Sequence, residues 1–518
     1  MKKSFVLLTV LLVLITGTAY YAQSELLQEK DQVHFTEKVL YGDKSIVEGV
    51  KVDTNISYEY QLFWHTLYEI GETPKEETEY TFYPVRYQDG KYVDSGSLSF
   101  QVDCSDMMSN DFKQDRTYYG MEKAMKELYD RTAPGTQESA TVYLKDYIEY
   151  YTFIHDIDLP RIPGVTTKEY SEYGYWNLQE LLNDIEDLKK SSSSKESLKQ
   201  LEKLEKLLKD AEILQGFFKI PVLETEVYAI SIGKDAEGEI IGMAESSTSG
   251  GSATGDIDFP EMPNIEGLDS FQFNVYSIYD NGDCYFTFDA HTFNGNVVDT
   301  SLIPGGYGIY HFSYDTEKGT VDLENLKMVY ALDPKNNIEY IRVDESGKNL
   351  LITTSDETTR YMQVIDRETM TLKDTFNLGD TESYFTIWTF EDSMVIRAEN
   401  IMVFAYGEDG RYTQALSVNF DEAENTIANV TGSQNVDFLN WNTAFDWDGE
   451  KLLMANQIML IDENLRATRT CNFYVAAIDE TGLLYYGEYT STLDCGEGGH
   501  KQCYFNLNMD QPIQIKWK

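Results

Sequence analysis

The sequence predicts a mainly β fold assembled from short four-stranded blades, and three observations carry that prediction. The first is a repeated local phrase: a β-rich run, an acidic turn with Gly or Asn, and another β-rich run. It occurs at Asp344-Glu345-Ser346-Gly347, Asp366-Arg367-Glu368-Thr369, Glu408-Asp409-Gly410, Asp446-Trp447-Asp448-Gly449, Asp462-Glu463-Asn464 and Asp479-Glu480-Thr481-Gly482. Asp and Asn tolerate left-handed backbone and Gly adopts it freely, so such clusters between β-branched and aromatic runs mark hairpins. The second is spacing, because the turns at Asp366, Glu408 and Asp446 stand 42 and 38 residues apart, close to the roughly 45-residue length of a four-stranded propeller blade. The third is composition: 38 Tyr against 11 Pro in 518 residues suits pleated, half-buried surfaces with the ring packed and the hydroxyl wet. The expected architecture is a β-propeller of about six to eight four-stranded blades with a helical insertion.

Taken in order, residues 1–23 come first. Lys2 and Lys3 precede an apolar run from Phe5 to Ile15, the length of a signal-peptide core, and Gly17-Thr18-Ala19 offers small residues for cleavage after Ala19. Tyr20, Tyr21 and Ala22 lengthen the stretch, so an uncleaved membrane anchor is the competing reading; a spanning helix needs about 20 apolar residues. Either way Lys2 and Lys3 stay inside and the remainder is exported. The expected location is extracytoplasmic, secreted or held at the membrane by this segment alone.

Residues 35–117 read as N-terminal β blades. Val50 to Tyr58 alternates, as does Thr78 to Arg86, before a Gln88-Asp89-Gly90-Lys91 turn. Residues 118–216 form a partly helical insertion. Tyr118 to Asp130 sets Met121, Met125, Leu128 and Tyr129 at helical spacing. Trp176 to Leu188 and Glu196 to Leu214 read as two further helices, with Ser193 and Glu196 as a capping box. From 217 to 518 the blades resume, apart from a flexible loop at 246–255 whose Ser-Ser-Thr-Ser-Gly-Gly-Ser-Ala-Thr-Gly holds nothing apolar larger than Ala. The clearest blade runs from Tyr340 to Gly379. The strands of Tyr474 to Tyr489 can complete a blade with N-terminal strands, which would remove two open sheet edges.

The run Asn349-Leu350-Leu351-Ile352-Thr353 through Val364-Ile365-Asp366-Arg367-Glu368-Thr369 resembles a blade of the bacterial extracytoplasmic β-propeller repeat proteins. The resemblance implies fold alone.

Chemistry is sparser than architecture. With 42 Lys and Arg against 88 Asp and Glu, the net charge of −46 repels phosphate backbones and argues against nucleic-acid partners. The same charge serves solubility, or attracts cations and basic envelope components. Asp280 and Asp283, and Asp446 and Asp448, set oxygen donors at alternate positions as calcium loops do, though Asp-Gly turns explain themselves without metal. No other cofactor is expected. Cys495 and Cys503 flank Gly496-Glu497-Gly498-Gly499-His500 and are the disulfide candidates; free thiols, or a metal site with His500 and Cys471, are the alternatives. Leu201, Leu204 and Leu208 form a stripe that either packs within the chain or binds a partner helix. Neither a His-Glu-x-x-His pair nor a Gly-x-Ser-x-Gly elbow occurs. The functional expectation is an exported, non-catalytic binding or assembly module at the cell envelope, with an envelope protein or glycan as ligand. The alternative is an extracytoplasmic glycan hydrolase or lyase using channel-facing carboxylates.

Overall fold

The computed structural model describes residues 16–17, 34–58, 62–81, 97–102, 120–159, 178–191, 194–248, 250–383, 385–390, 393–431, 439, 443–458, 472–492, 503–505 and 513–517. The segment 1–23, apart from residues 16–17, Cys495 and the 462–464 turn lie outside these residues. The chain divides into two compact units, one made of 1–91 with 378–518 and the other of 92–377.

The first unit opens with β1 (Phe35–Gly42), β2 (Lys51–Tyr58), β3 (Leu62–Glu69) and β4 (Lys75–Thr81). The second unit holds β5 (Ser97–Val102), β6 (Gln137–Tyr143), β7 (Phe153–Asp158), β8 (Val227–Lys234), β9 (Ile240–Ser247) and β10 (Gly250–Gly255). It continues with β11 (Val275–Asp280), β12 (Asp283–Phe288), β13 (Gly308–Asp315) and β14 (Thr320–Ala331). Its last strands are β15 (Asn337–Val343), β16 (Asn349–Ser355), β17 (Thr359–Asp366) and β18 (Thr371–Asp380). The first unit resumes with β19 (Thr386–Phe390), β20 (Ser393–Arg397), β21 (Asn400–Tyr406) and β22 (Tyr412–Asn419). After these come β23 (Ala444–Trp447), β24 (Leu452–Ile458), β25 (Asn472–Asp479), β26 (Gly482–Ser491), β27 (Cys503–Phe505) and β28 (Gln514–Lys516).

These strands make six sheets of four or five strands, together with the two-stranded β5–β7 pair. Every strand pairing recorded for them is antiparallel, as in β11–β12, β16–β17 and β20–β21. The β11–β14, β15–β18 and β19–β22 sheets are four-stranded meanders of the kind that builds propeller blades, and the chain is a β-propeller with a helical insertion.

The turns follow their residues. Asn281 and Gly282 both have positive φ (49° and 91°), as the two-residue connection between β11 and β12 requires. At the β17–β18 turn Asp366 Oδ1 accepts the Thr369 N–H at 2.8 Å, and Met370 turns with φ 52°. Donors from Thr369 and Lys373 hold the Asp366 carboxyl down at about 2.

Both ends of the chain share sheets in the first unit. β1 pairs with β26 from Phe35↔Ser491 to Gly42↔Tyr485 and completes the order β1-β26-β25-β24-β23. β27 and β28 pair with β2 on its open edge. Behind β1 lies an aromatic core in which Phe473 and Tyr489 stack at 4.7 Å and Tyr68 meets Tyr489 edge-on at 5.3 Å. The Tyr485 and Tyr489 hydroxyls both reach the Glu37 carboxylate on β1, at 3.1 and 3.3 Å.

In the second unit the helices are α1 (Gly120–Arg131), α2 (Leu178–Ser191) and α3 (Lys195–Phe217). α3 delivers Phe218 into the blades, where its ring meets Tyr310 at 5.0 Å, Phe288 at 5.9 Å and Phe286 at 6.1 Å, all near edge-on. The insertion is thereby bolted to the β11–β14 sheet by the aromatic content that the composition announced.

Three expectations need correction. Much of the expected flexible loop at 246–255 is strand: Gly250–Gly255 is β10, paired with β9 from Gly250↔Ser247 to Gly255↔Gly242. The glycines are there for close approach, since a Cβ on Gly242 would stand 2.6 Å from the Thr254 carbonyl oxygen and one on Gly255 would strike that of Ile241. The cap of α3 is Ser194, whose Oγ accepts the Ser197 N–H at 3.0 Å, in place of the Ser193–Glu196 box. Within 118–216, β6 is a blade strand paired with β8, so the insertion is interrupted by the sheet itself. A further helix, α4 (Phe420–Thr431), follows β22 where no helix was expected. No helix among the described residues is long and apolar enough to cross a membrane.

Candidate functional site

The strongest concentration of perturbed polar chemistry lies in the second unit, where β8 begins and the chain enters β11. β8 is buried at every position, and its apolar run is preceded by a carboxylate, Glu226, only 2% exposed. Burying an acid beside such a strand is costly unless donors meet it. Three do. The Tyr151 hydroxyl donates to Oε2, the Tyr228 hydroxyl to Oε1 at 3.0 Å, and the Phe271 N–H to Oε2 at 3.4 Å. The Tyr151 ring packs 4.5 Å from that of Phe271, so one aromatic pair brackets the acid. Burial dominates these donors and raises the Glu226 carboxyl above its ordinary range, and the Asp269 charge adds to the rise.

Asp269 behaves oppositely. Burial also works against its charge, yet donors from Thr292, Asn296, Asn294 and Ser270 together outweigh it and lower the carboxyl. The Ser270 and Asn294 N–H groups lie 3.0 Å from Oδ1, the Asn296 amide 2.8 Å from Oδ2, and the Thr292 hydroxyl also donates to Oδ2. The Thr292, Asn294 and Asn296 donors belong to a hairpin tip closed by Thr292 N to Asn296 O and Gly295 N to Thr292 O, both 2.9 Å. At its base His291 Nδ1 meets Asp289 Oδ1 at 2.6 Å. Two interacting carboxyls whose environments push them in opposite directions are the pattern of acid–base sites. Here both are enclosed, with their oxygens committed to protein donors, and the arrangement fixes the 289–298 loop onto the 268–271 segment.

The residues singled out from sequence are placed differently. Asp280 and Asp283 do meet, but around Arg367: its Nη1 pairs with Asp280 and its Nη2 lies 3.1 Å from Asp283 Oδ2, with the guanidinium 5.2 Å from the Tyr285 ring centre. His311 Nε2 holds the other Asp283 oxygen at 2.8 Å. A side-chain cation thus stands where the calcium expectation placed a metal. Asp446 accepts the Trp447 N–H at 3.0 Å and the Trp517 N–H, and Asp448 accepts those of Glu450 and Lys451 at 2.8 and 2.7 Å. Among the described residues no three acidic, His or Cys side chains converge on a point that could hold a metal ion. Cys503 starts β27, with Tyr58 opposite, and its proposed partner Cys495 lies outside the described residues.

The leucine stripe packs within the chain, the first of its two alternatives. Leu204 is buried with Leu181 and Ile185 of α2, and Leu201 and Leu208 pack against the same cluster. Glu226, Asp269, Asp289 and His291 were not assembled from sequence. The one available signal was an acid set directly before an apolar strand.

No protein-family model matches the chain, and no curated protein matches it. Solved structures similar to it include a candidate 6-phosphogluconolactonase of Bacteroides uniformis, at 14% identity and TM-score 0.22 over 51% of this chain and 68% of that one. The β-propeller domain of the trilobed protease of Pyrococcus furiosus is similar at 11% identity and TM-score 0.20, over 50% and 67% of the two chains. The PQQ domain of pyranose dehydrogenase from Coprinopsis cinerea is similar at 14% identity and TM-score 0.19, over 43% and 57%. The activities named for these structures are diverse.

Proposed function

We propose that the chain is an exported, non-catalytic binding or assembly module of the cell envelope. The observation that carries this reading is the commitment of Glu226 and Asp269. The two carboxyls with opposed shifts are 2% and 4% exposed and are held by protein donors that fasten a loop. A glycan hydrolase or lyase needs the reverse, two carboxyls facing a substrate. The N-terminal Lys2-Lys3 and apolar run support export.

The test uses purified chain from residue 34 onward, applied to a glycan array and to envelope fractions, with polysaccharide turnover measured in parallel. Saturable binding without turnover supports a module. Turnover that Glu226→Gln abolishes would overturn it in favour of the hydrolase.

A further inference from the structure

Between Lys234 and Lys318 the sequence contains no Lys or Arg, while Asp and Glu recur throughout. The same stretch carries six of the exposed large hydrophobic side chains: Ile241, Phe259, Ile265, Phe293, Val297 and Leu302. Part of it forms one surface. The hairpin tip bearing Phe293 (52% exposed) and Val297 (46%) is zipped to the segment after Ile265 by Phe293 N to Ser270 O at 2.9 Å and Asn294 Nδ2 to Leu268 O at 2.7 Å. Glu266 and Asp299 are exposed beside it, and the Ser301 donors lower the Asp299 carboxyl, keeping it charged. The Asp269 hydrogen bonds hold the tip rigid, so its apolar side chains stay presented to solvent without a core partner.

Resting on the binding-module reading above, we propose that this tip, centred on Phe293 and Val297, docks a cationic amphipathic segment of a partner protein. Apolar anchors of the partner cover Phe293 and Val297, and its Lys or Arg side chains meet the Glu266 and Asp299 rim. The occupant follows from charge complementarity: an acidic partner or an anionic lipid surface would be repelled by a region without a single basic residue in its sequence. Exposed aromatic side chains set in a polar rim are the usual energetic centre of such contacts.

The experiment measures fluorescence anisotropy of a labelled helical peptide of about 18 residues, Lys on one face and Leu on the other, long enough to form a helix. The comparison is a scrambled peptide of the same composition. The native chain is expected to bind the amphipathic peptide saturably and more weakly as salt rises. F293S/V297S should weaken binding about tenfold or more, as loss of a central anchor does, whereas E357Q, on the exposed β16–β17 turn, should leave it unchanged. I265S/L302S provides a second variant, and thermal unfolding confirms that each is folded. Equal affinity of native and F293S/V297S chains, equal affinity for the scrambled peptide, or no binding at all would overturn the proposal. Envelope capture retained by F293S/V297S would leave the module reading standing without this site, and capture absent from every form would remove that reading as well.

Discussion

Arg367, in the turn after β17, places Nη2 3.1 Å from Asp283 at the start of β12, so one guanidinium ties two neighbouring blades of the second unit together. The same nitrogen donates to the Asp280 carbonyl, while Nη1 reaches the Asp280 carboxylate and Nε the Tyr285 hydroxyl. Blades stack by apolar faces, which are tolerant of sliding; a planar fork with several fixed acceptors is not. This clamp sets the register between the two sheets. Arg367→Met should therefore lower the denaturant midpoint by an amount equivalent to about 2–3 kcal/mol, somewhat below the fully buried case because the acids are partly exposed. Arg367→Lys should recover only part of it. A midpoint unchanged in chemical denaturation would show the clamp to be incidental.

The Glu226 cluster predicts a pH dependence with a defined sign. Its folded carboxyl is raised above the ordinary 4.5, so the native state binds the extra proton in the window above that value. Stability contributed by Glu226 is then greatest below 4.5 and falls as pH rises toward the folded value. Asp269, lowered from 3.8, acts the other way: its contribution is present above 3.8 and is lost as pH falls through the folded value. Glu226→Gln should remove the loss on the alkaline side, so the stability difference between variant and native chain should grow with pH above 4.5 and then level off. A difference that is flat across pH 4 to 8 would contradict the burial argument.

Ser194 offers a smaller, local test. Ser194→Ala removes the acceptor for the Ser197 N–H at the start of α3 and should cost about 1 kcal/mol. Ser194→Asp should match or exceed the native cap, because a carboxylate also meets the positive end of the helix. Comparison of thermal midpoints checks both.

Gly42 closes β1 with φ 77°, and a Cβ there would strike the Leu484 carbonyl oxygen of β26. Gly42→Ala should cost about 1–3 kcal/mol from backbone strain alone, with the β1–β26 pairing the first structure to loosen. Limited proteolysis should then release the segment before Lys44 while the rest stays intact; resistance equal to the native chain would contradict the contact.

What the sequence made legible was whatever is encoded locally. Asp280-Asn281-Gly282-Asp283 declares a tight hairpin because few other residues accept its dihedral angles, and the strands from Tyr340 to Gly379 alternate between turns of the same kind. β10 was missed because Gly-Gly-Ser-Ala-Thr-Gly has the composition of a linker, and only the facing Thr254 and Ile241 carbonyls reveal why small residues are needed. The Ser194 cap was misplaced by one residue within a run of identical serines. The Glu226–Asp269 site was illegible for a different reason: Tyr151, Glu226, Asp269 and Thr292 come from separate stretches of chain, and pattern reading along one strand carries no information on such convergence. The leucine stripe on α3 was visible, but only its contact with Leu181 and Ile185 decides that it faces inward.

The account depends most on β1 completing a sheet with strands from the far end of the chain. Hydrogen exchange of the amides of residues 35–42, followed by mass spectrometry, tests it directly. These amides should exchange as slowly as those of 482–491, and both should open together in a single cooperative step. Exchange of 35–42 within seconds, while 482–491 stays protected, would show β1 to be a free extended arm and the shared sheet to be absent.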